Sequence, residues 1–305
     1  MNEHILKTES LSKHYGSFKA NDRISVSIKK GAIYGLVGRN GAGKTTFMKM
    51  ICSLAAPTSG GFELCGKSYP QLGSARSKIG NLIEDPGIYA NMSAFDNLKA
   101  KGKLYGGVDN EKINELLETV GLSKAGSKPA GKFSLGMKQR LGIGLALIGD
   151  PEVLVLDEPI NGLDPAGVAE IRDTLQKLNK EKGKTILISS HILGELSKLC
   201  TDYGFIDHGT LIKEISNEQL MADCTEYVRL KVDDVEKAKK VLASLDINSV
   251  TAEDDGKLRI QGDDIKTDEI TEALVINNVR VYEISKQGTD LEGYYLKMIE
   301  NGREQ

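Results

Sequence analysis

Gly38-Arg39-Asn40-Gly41-Ala42-Gly43-Lys44-Thr45-Thr46 has the spacing of a phosphate-binding loop: a glycine, four residues, then glycine, lysine and a hydroxyl residue. Each residue type has a physical task. The glycines let the backbone turn so that successive N–H groups point inward at phosphate oxygens. Lys44 is a flexible point charge for the β- and γ-phosphates. The Thr45 hydroxyl is a hard oxygen donor suited to Mg²⁺. Ala32–Val37 before the loop reads as a short buried strand, and Thr46–Ile51 after it as the start of a helix. Strand, glycine loop and helix N-terminus together form an anion site, because the helix end adds partial positive charge.

Working outward, the 305-residue chain carries a net charge of −3 and 40% apolar residues, a soluble composition with room for a large and a small domain. No stretch approaches the roughly 18 apolar residues of a membrane span. The first residues, Met1-Asn2-Glu3-His4, lack a secretory signal pattern. Cys52, Cys65, Cys200 and Cys224 include no C-x-x-C pair and read as reduced, buried thiols of a cytoplasmic protein. No run of like charge forms a nucleic-acid arm, so no nucleic-acid partner is expected. The charge is unevenly spread: residues 216–305 hold 12 Lys/Arg against 20 Asp/Glu, while the rest is net +5, which sets a boundary near Ser216.

Residues 5–36 alternate apolar and polar between turns at Gly16 and Gly31, predicting an antiparallel sheet, with a further β stretch over Gly61–Lys67. Ala94–Lys103, Asn110–Val120 and Ser134–Ile148 repeat apolar residues at helical spacing. Val153–Leu156 and Thr185–Ser189 are continuous apolar runs, predicting strands buried on both faces, with a helix over Ala166–Lys180 joining them as a βαβ unit. Past residue 220 the order is strand 227–232, helix 235–245, strands 249–252 and 257–261 about an Asp255-Gly256 turn, helix 267–276 and strand 280–285. That is the βαββαβ order of a ferredoxin-like unit, followed by a closing helix over 293–301.

Leu156-Asp157-Glu158-Pro159 completes the nucleotide site in the sequence. An apolar strand ending in an acid places Asp157 at the carboxyl edge of the sheet, where it can hold Mg²⁺. Glu158 follows as the group to activate an attacking water.

With these motifs in order, the chain resembles the ATP-binding cassette ATPases over about residues 5–215. Phe133-Ser134-Leu135-Gly136-Met137-Lys138-Gln139-Arg140 resembles the signature sequence, Asn161-Gly162-Leu163-Asp164 the loop joining two subunits, and His191 the switch histidine. Tyr15 matches the aromatic residue that stacks on adenine, and Glu84 stands in the position of the loop glutamine. Leu135 and Met137 depart from the usual Gly and Gln of the signature. The segments 82–93 and 134–140 resemble the branch serving bacitracin- and lantibiotic-resistance exporters.

The resemblance implies an α/β fold: a P-loop NTPase cassette over residues 1–215 with a parallel-sheet core, an antiparallel β subdomain and a helical subdomain over about 85–150. A small α+β domain over 216–305 would follow. It further implies an ATPase with Glu158, His191 and Lys44 catalytic. Gly38–Thr46, Tyr15, Ser134 and Gly136 would bind ATP, and Thr45, Asp157 and Glu84 would attend the metal. The implied assembly is a homodimer or heterodimer of ATPase subunits on an integral-membrane permease, at the cytoplasmic face of the membrane. An importer ATPase with a ligand-sensing tail is the alternative. Long heptads and C-x-x-C zinc pairs, marks of soluble DNA-repair relatives, are missing from the sequence.

Overall fold

The computed structural model describes residues 4–224, 227–247, 249–253, 257–262, 265–287 and 291–301. These divide into two compact units, Met1–Asn217 and Glu218–Gln305.

The alternating N-terminal stretch folds as β1 (His4–Tyr15), β2 (Phe18–Ile24) and β3 (Ser27–Lys29). The apolar run after Gly31 is β4 (Ile33–Val37), buried at every residue. Helix α1 (Lys44–Ile51) begins two residues before the expected Thr46, because Gly43 caps it at φ 103°, a left-handed conformation that glycine alone adopts without strain. Next come β5 (Ser59–Leu64), β6 (Lys67–Ser68) and β7 (Ile79–Leu82). Three helices follow, α2 (Ala94–Gly102), α3 (Asn110–Thr119) and α4 (Leu135–Leu147), each capped by an oxygen side chain that accepts a backbone N–H: Ser93, Asp109 and Ser134. The unit closes through β8 (Val153–Leu156), α5 (Pro165–Lys182), β9 (Thr185–Ser190), α6 (Leu193–Leu196), β10 (Asp202–Asp207) and β11 (Thr210–Ser216).

Two sheets result. An antiparallel one runs β2-β1-β5-β6, with β3 also on β1. A six-stranded one runs β11-β10-β4-β9-β8-β7, parallel from β10 to β7 with β11 antiparallel at its edge. The register pairs Val37 with Ser190, and Leu156 with both Ile188 and Leu82. The loops after β4, β7, β8 and β9 therefore emerge at one edge, the carboxyl edge where open α/β sheets bind ligands. Phe47, Met48, Met50 and Ile51 of α1 are buried in one cluster with Leu11, Leu36, Val155 and Leu187. That cluster sets α1 between the two sheets and aims its N-terminus at this edge.

Beyond α7 (Asn217–Cys224) the chain forms β12 (Tyr227–Val232), α8 (Val235–Ser244), β13 (Val250–Ala252), β14 (Lys257–Gln261), α9 (Thr267–Ile276), β15 (Val281–Gln287) and α10 (Leu291–Asn301). The strands pair antiparallel in the order β13-β14-β12-β15. Val228, Leu230, Leu258 and Ile260 alternate inward onto Ala238, Leu242, Ile270 and Leu274 of the two helices. The expected Asp255-Gly256 turn lies outside the described residues. Of the cysteines only Cys200 is buried; Cys52, Cys65 and Cys224 are half-buried, which corrects the reading of four buried thiols. Among the described residues, no helix is long and apolar enough to cross a membrane.

Candidate active site

The phosphate loop and the ends of β8 and β9 meet in one hydrogen-bonded cluster. Thr45 Oγ1 donates to Asp157 Oδ2 at 2.6 Å, and Ser189 Oγ donates to Asp157 Oδ1 at 2.6 Å. Glu158 N donates in turn to Ser189 Oγ at 2.9 Å. Ser189 thus fixes both carboxylate-bearing residues from the neighbouring strand, and its hydroxyl, fully buried, has both a donor and an acceptor role satisfied. Sequence reading treated Ser189 only as the end of an apolar strand. The signal that could have found it is a hydroxyl placed one strand over and level with the acidic pair.

Lys44 is buried, its ammonium donating to Gly38 O at 2.6 Å and Arg39 O at 3.1 Å. It also lies 3.1 Å from Glu158 Oε1, while His191 Nδ1 lies 2.9 Å from Glu158 Oε2. A carboxylate can only accept, so the proton between the last two sits on His191 Nδ1. A neutral imidazole in that tautomer presents an acceptor at Nε2. Glu158 has φ 48°, a left-handed backbone that turns its side chain back over the loop.

The structure thus brings Lys44, Thr45, Asp157, Glu158 and His191 together. Glu84 stands apart from them: it too has a left-handed backbone, φ 60°, and its carboxylate pairs with Lys49 of α1 at 2.6 Å. Tyr15 ends β1 with its ring exposed and the Lys13 ammonium 4.9 Å from the ring centre. Ser134 accepts from Met137 N at 3.3 Å as the cap of α4, and a Cβ on Gly136 would reach Leu163 at 3.7 Å, an ordinary contact. Asp164 caps α5 by accepting from Gly167 N at 3.1 Å.

The donor set suits a nucleotide phosphate with a hard cation. The first amides of α1 have no intrahelical acceptor, Lys44 supplies charge, and Thr45 with Asp157 offers two adjacent hard oxygens. Among the described residues no group of three His, Cys, Asp or Glu could hold a metal by itself. A cation here would need phosphate oxygens and water to complete its shell.

Comparison with known proteins agrees with this chemistry. The pattern of the ABC transporter family matches residues 21–161. The bacitracin transport ATP-binding protein BcrA of Enterococcus faecalis is 41% identical over 302 residues, 98% of each chain. The lantibiotic transport ATP-binding protein SrtF of Streptococcus pyogenes is 44% identical over 210 residues, 69% of this chain and 90% of its own. Among solved structures, the ADP conformation of an ATP-binding cassette of an ABC transporter superposes with a TM-score of 0.65 at 27% identity, covering 72% of this chain and 95% of that one. The buried lysine of the phosphate loop, the bonded acid pair at the end of β8 and similarity along nearly the whole chain establish the chain as a member of the ABC transporter family, an ATP-binding and ATP-hydrolysing subunit.

Proposed function

We propose that this subunit powers export of antimicrobial peptides or similar amphipathic compounds through a separate membrane permease, at the cytoplasmic face of the membrane. The observation that carries the catalytic part is the bonded set Lys44, Thr45, Asp157, Glu158 and Ser189 at one sheet edge. In this reading Lys44 leaves Glu158 for the β- and γ-phosphates, freeing the carboxylate to take a proton from the attacking water. The water oxygen bonds to the γ-phosphorus, the bond to the bridging oxygen breaks, and ADP departs with that oxygen. Thr45 and Asp157 would hold Mg²⁺, which when bound offsets the phosphate charge. His191 holds Glu158 through Nδ1, and Glu84 keeps the metal-linked role of the usual glutamine. Tyr15 stacks on adenine, and the N-terminus of α4 at Ser134 and Gly136 closes over the γ-phosphate of a second subunit.

The permease would dock on the groove beside β7 and α2, a cavity of about 370 Å³ lined in part by Leu54, Ile83, Tyr89 and Leu104 and in part by Asp85 and Lys101. Leu54, Tyr89 and Leu104 expose large apolar surface there. The C-terminal unit, with its βαββαβ order and β13-β14-β12-β15 sheet, would be a ferredoxin-like domain supporting subunit association. Similarity to BcrA extends over 98% of the chain, C-terminal unit included, which favours the exporter reading over an importer with a sensor tail. The test is purification from membranes. An ATPase dependent on Mg²⁺ that copurifies with an integral-membrane partner, and whose loss sensitises cells to peptide antibiotics, is the expected result. An unchanged antibiotic tolerance would overturn the substrate class.

A further inference from the structure

The phosphate loop is gripped from behind by two residues that no nucleotide motif contains. Asn21 of β2 is fully buried, and its Nδ2 donates to Gly43 O at 3.2 Å. That carbonyl can only accept, which fixes the amide orientation of the side chain. Gly209, in the turn between β10 and β11, donates its N–H to Ala42 O at 2.9 Å and accepts from Asp22 N at 2.8 Å. Three chain segments therefore meet here: β2, the end of the phosphate loop and the β10–β11 turn.

They meet with no room to spare. A Cβ on Gly43 would lie 2.5 Å from Ala20 O and 2.6 Å from Asn21 Nδ2, and one on Gly209 would lie 2.7 Å from Ala20 O. Gly209 also has φ 77°, which other residues rarely adopt.

The consequence follows from the planar trans peptide, in which a C=O and the next residue's N–H point in opposite directions. Ala42 O is tied to Gly209 N, and Gly43 O accepts both Phe47 N of α1 at 2.9 Å and, from the side of β2, Asn21 Nδ2. The N–H groups of Gly43 and Lys44 must therefore face the other way, toward the space above the loop. Two successive amides so directed form an anion-binding nest. We propose that Asn21, assisted by Gly209, is a positioning residue for this nest: it orients the Lys44 peptide for the phosphates without touching the nucleotide. The proposal rests on the nucleotide reading of the site.

One further feature argues against a merely structural role. Asn21 Oδ1 is as buried as Nδ2 yet has no hydrogen-bond partner among the described residues. A buried unpaired oxygen costs stability, and Gly43 O keeps Phe47 N as a donor when Asn21 is replaced, so a leucine of similar shape would suit the fold as well or better. Nucleotide affinity and stability should therefore move separately on substitution.

The experiment titrates purified full-length protein with a fluorescent ADP analogue in EDTA and records the melting temperature of the same samples. Asn21→Leu is expected to weaken binding about tenfold, the size of one buried hydrogen bond, with a melting temperature equal to or above wild type. Binding within twofold of wild type, at any melting temperature, would overturn the proposal. Should Asn21→Leu fail to fold, Asn21→Asp keeps the size and removes the donor. Its affinity for the analogue is expected to fall at least about tenfold, and wild-type affinity would overturn the proposal equally. A wild-type protein that binds no ADP analogue would instead overturn the nucleotide reading and this proposal with it.

Discussion

Two acidic loops leave the same sheet edge, and they are built differently. After β8, Asp157 and Glu158 have side chains little exposed, tied to Thr45, Ser189, Lys44 and His191 by contacts of 2.6 to 3.1 Å. After β7, Glu84 has a side chain 62% exposed and a single ion pair to Lys49. Both glutamates have left-handed backbones, so both side chains are deliberately turned, but only the first is locked. A network in which each member holds the next fixes atoms to the tolerance that chemistry requires. A single exposed pair contributes little and exchanges partners readily. The proposed function accordingly places bond-breaking on the β8 loop and adjustable, partner-dependent work on the β7 loop.

The comparison breaks most visibly at Glu158. Glu158→Gln is nearly isosteric but cannot take a proton, so turnover is expected to fall about 10²–10⁴-fold. Turnover near wild type in a phosphate-release assay would remove Glu158 from the chemistry. Lys44→Ala deletes the mobile cation from the same network and should lower turnover by about 10²–10³-fold, with weakened ATP binding measured alongside. Activity within threefold of wild type would rule the loop out as the phosphate site. Glu84→Gln, by contrast, should change turnover by only about fivefold or less, since it removes one exposed charged bond. It should also raise the Mg²⁺ concentration giving half-maximal rate, because a carboxylate that attracts the cation is gone. An unchanged Mg²⁺ response would make Glu84 a bystander, and a loss as deep as that of Glu158→Gln would erase the contrast between the loops.

What was legible in the sequence followed from local rules. The glycine spacing at 38–43 and the apolar strand ending in Asp157 and Glu158 depend on neighbouring residues alone, and both lie where that reading set them. Burial on both faces of Val153–Leu156 and Thr185–Ser189 could be read from their unbroken apolar runs. β10 was not legible, since Asp202-Tyr203-Gly204-Phe205-Ile206-Asp207 mixes acids and glycine into a strand buried at five of six residues. Asn21 was missed because alternation fails in β2, where Ala20 and Asn21 are buried in succession. Its polarity resembled a solvent-facing position, whereas its partner lies 22 residues away in the loop. Ser189 and the Lys49–Glu84 pair were likewise invisible, since each joins strands or elements whose neighbourhood only the sheet order determines. Positions that depend on local backbone were readable; contacts that depend on which strand lies next door were not.

The central claim is that the bonded carboxylates of the β8 loop perform hydrolysis in a site completed by a second subunit. Size-exclusion chromatography of Glu158→Gln with saturating ATP tests it most directly. The binding groups Lys44, Thr45 and Asp157 remain, one negative charge near the γ-phosphate is lost, and the closed state should accumulate. The account predicts an ATP-dependent dimer for the variant and mostly monomer for the wild type under the same conditions. A variant that stays monomeric with ATP bound would contradict it.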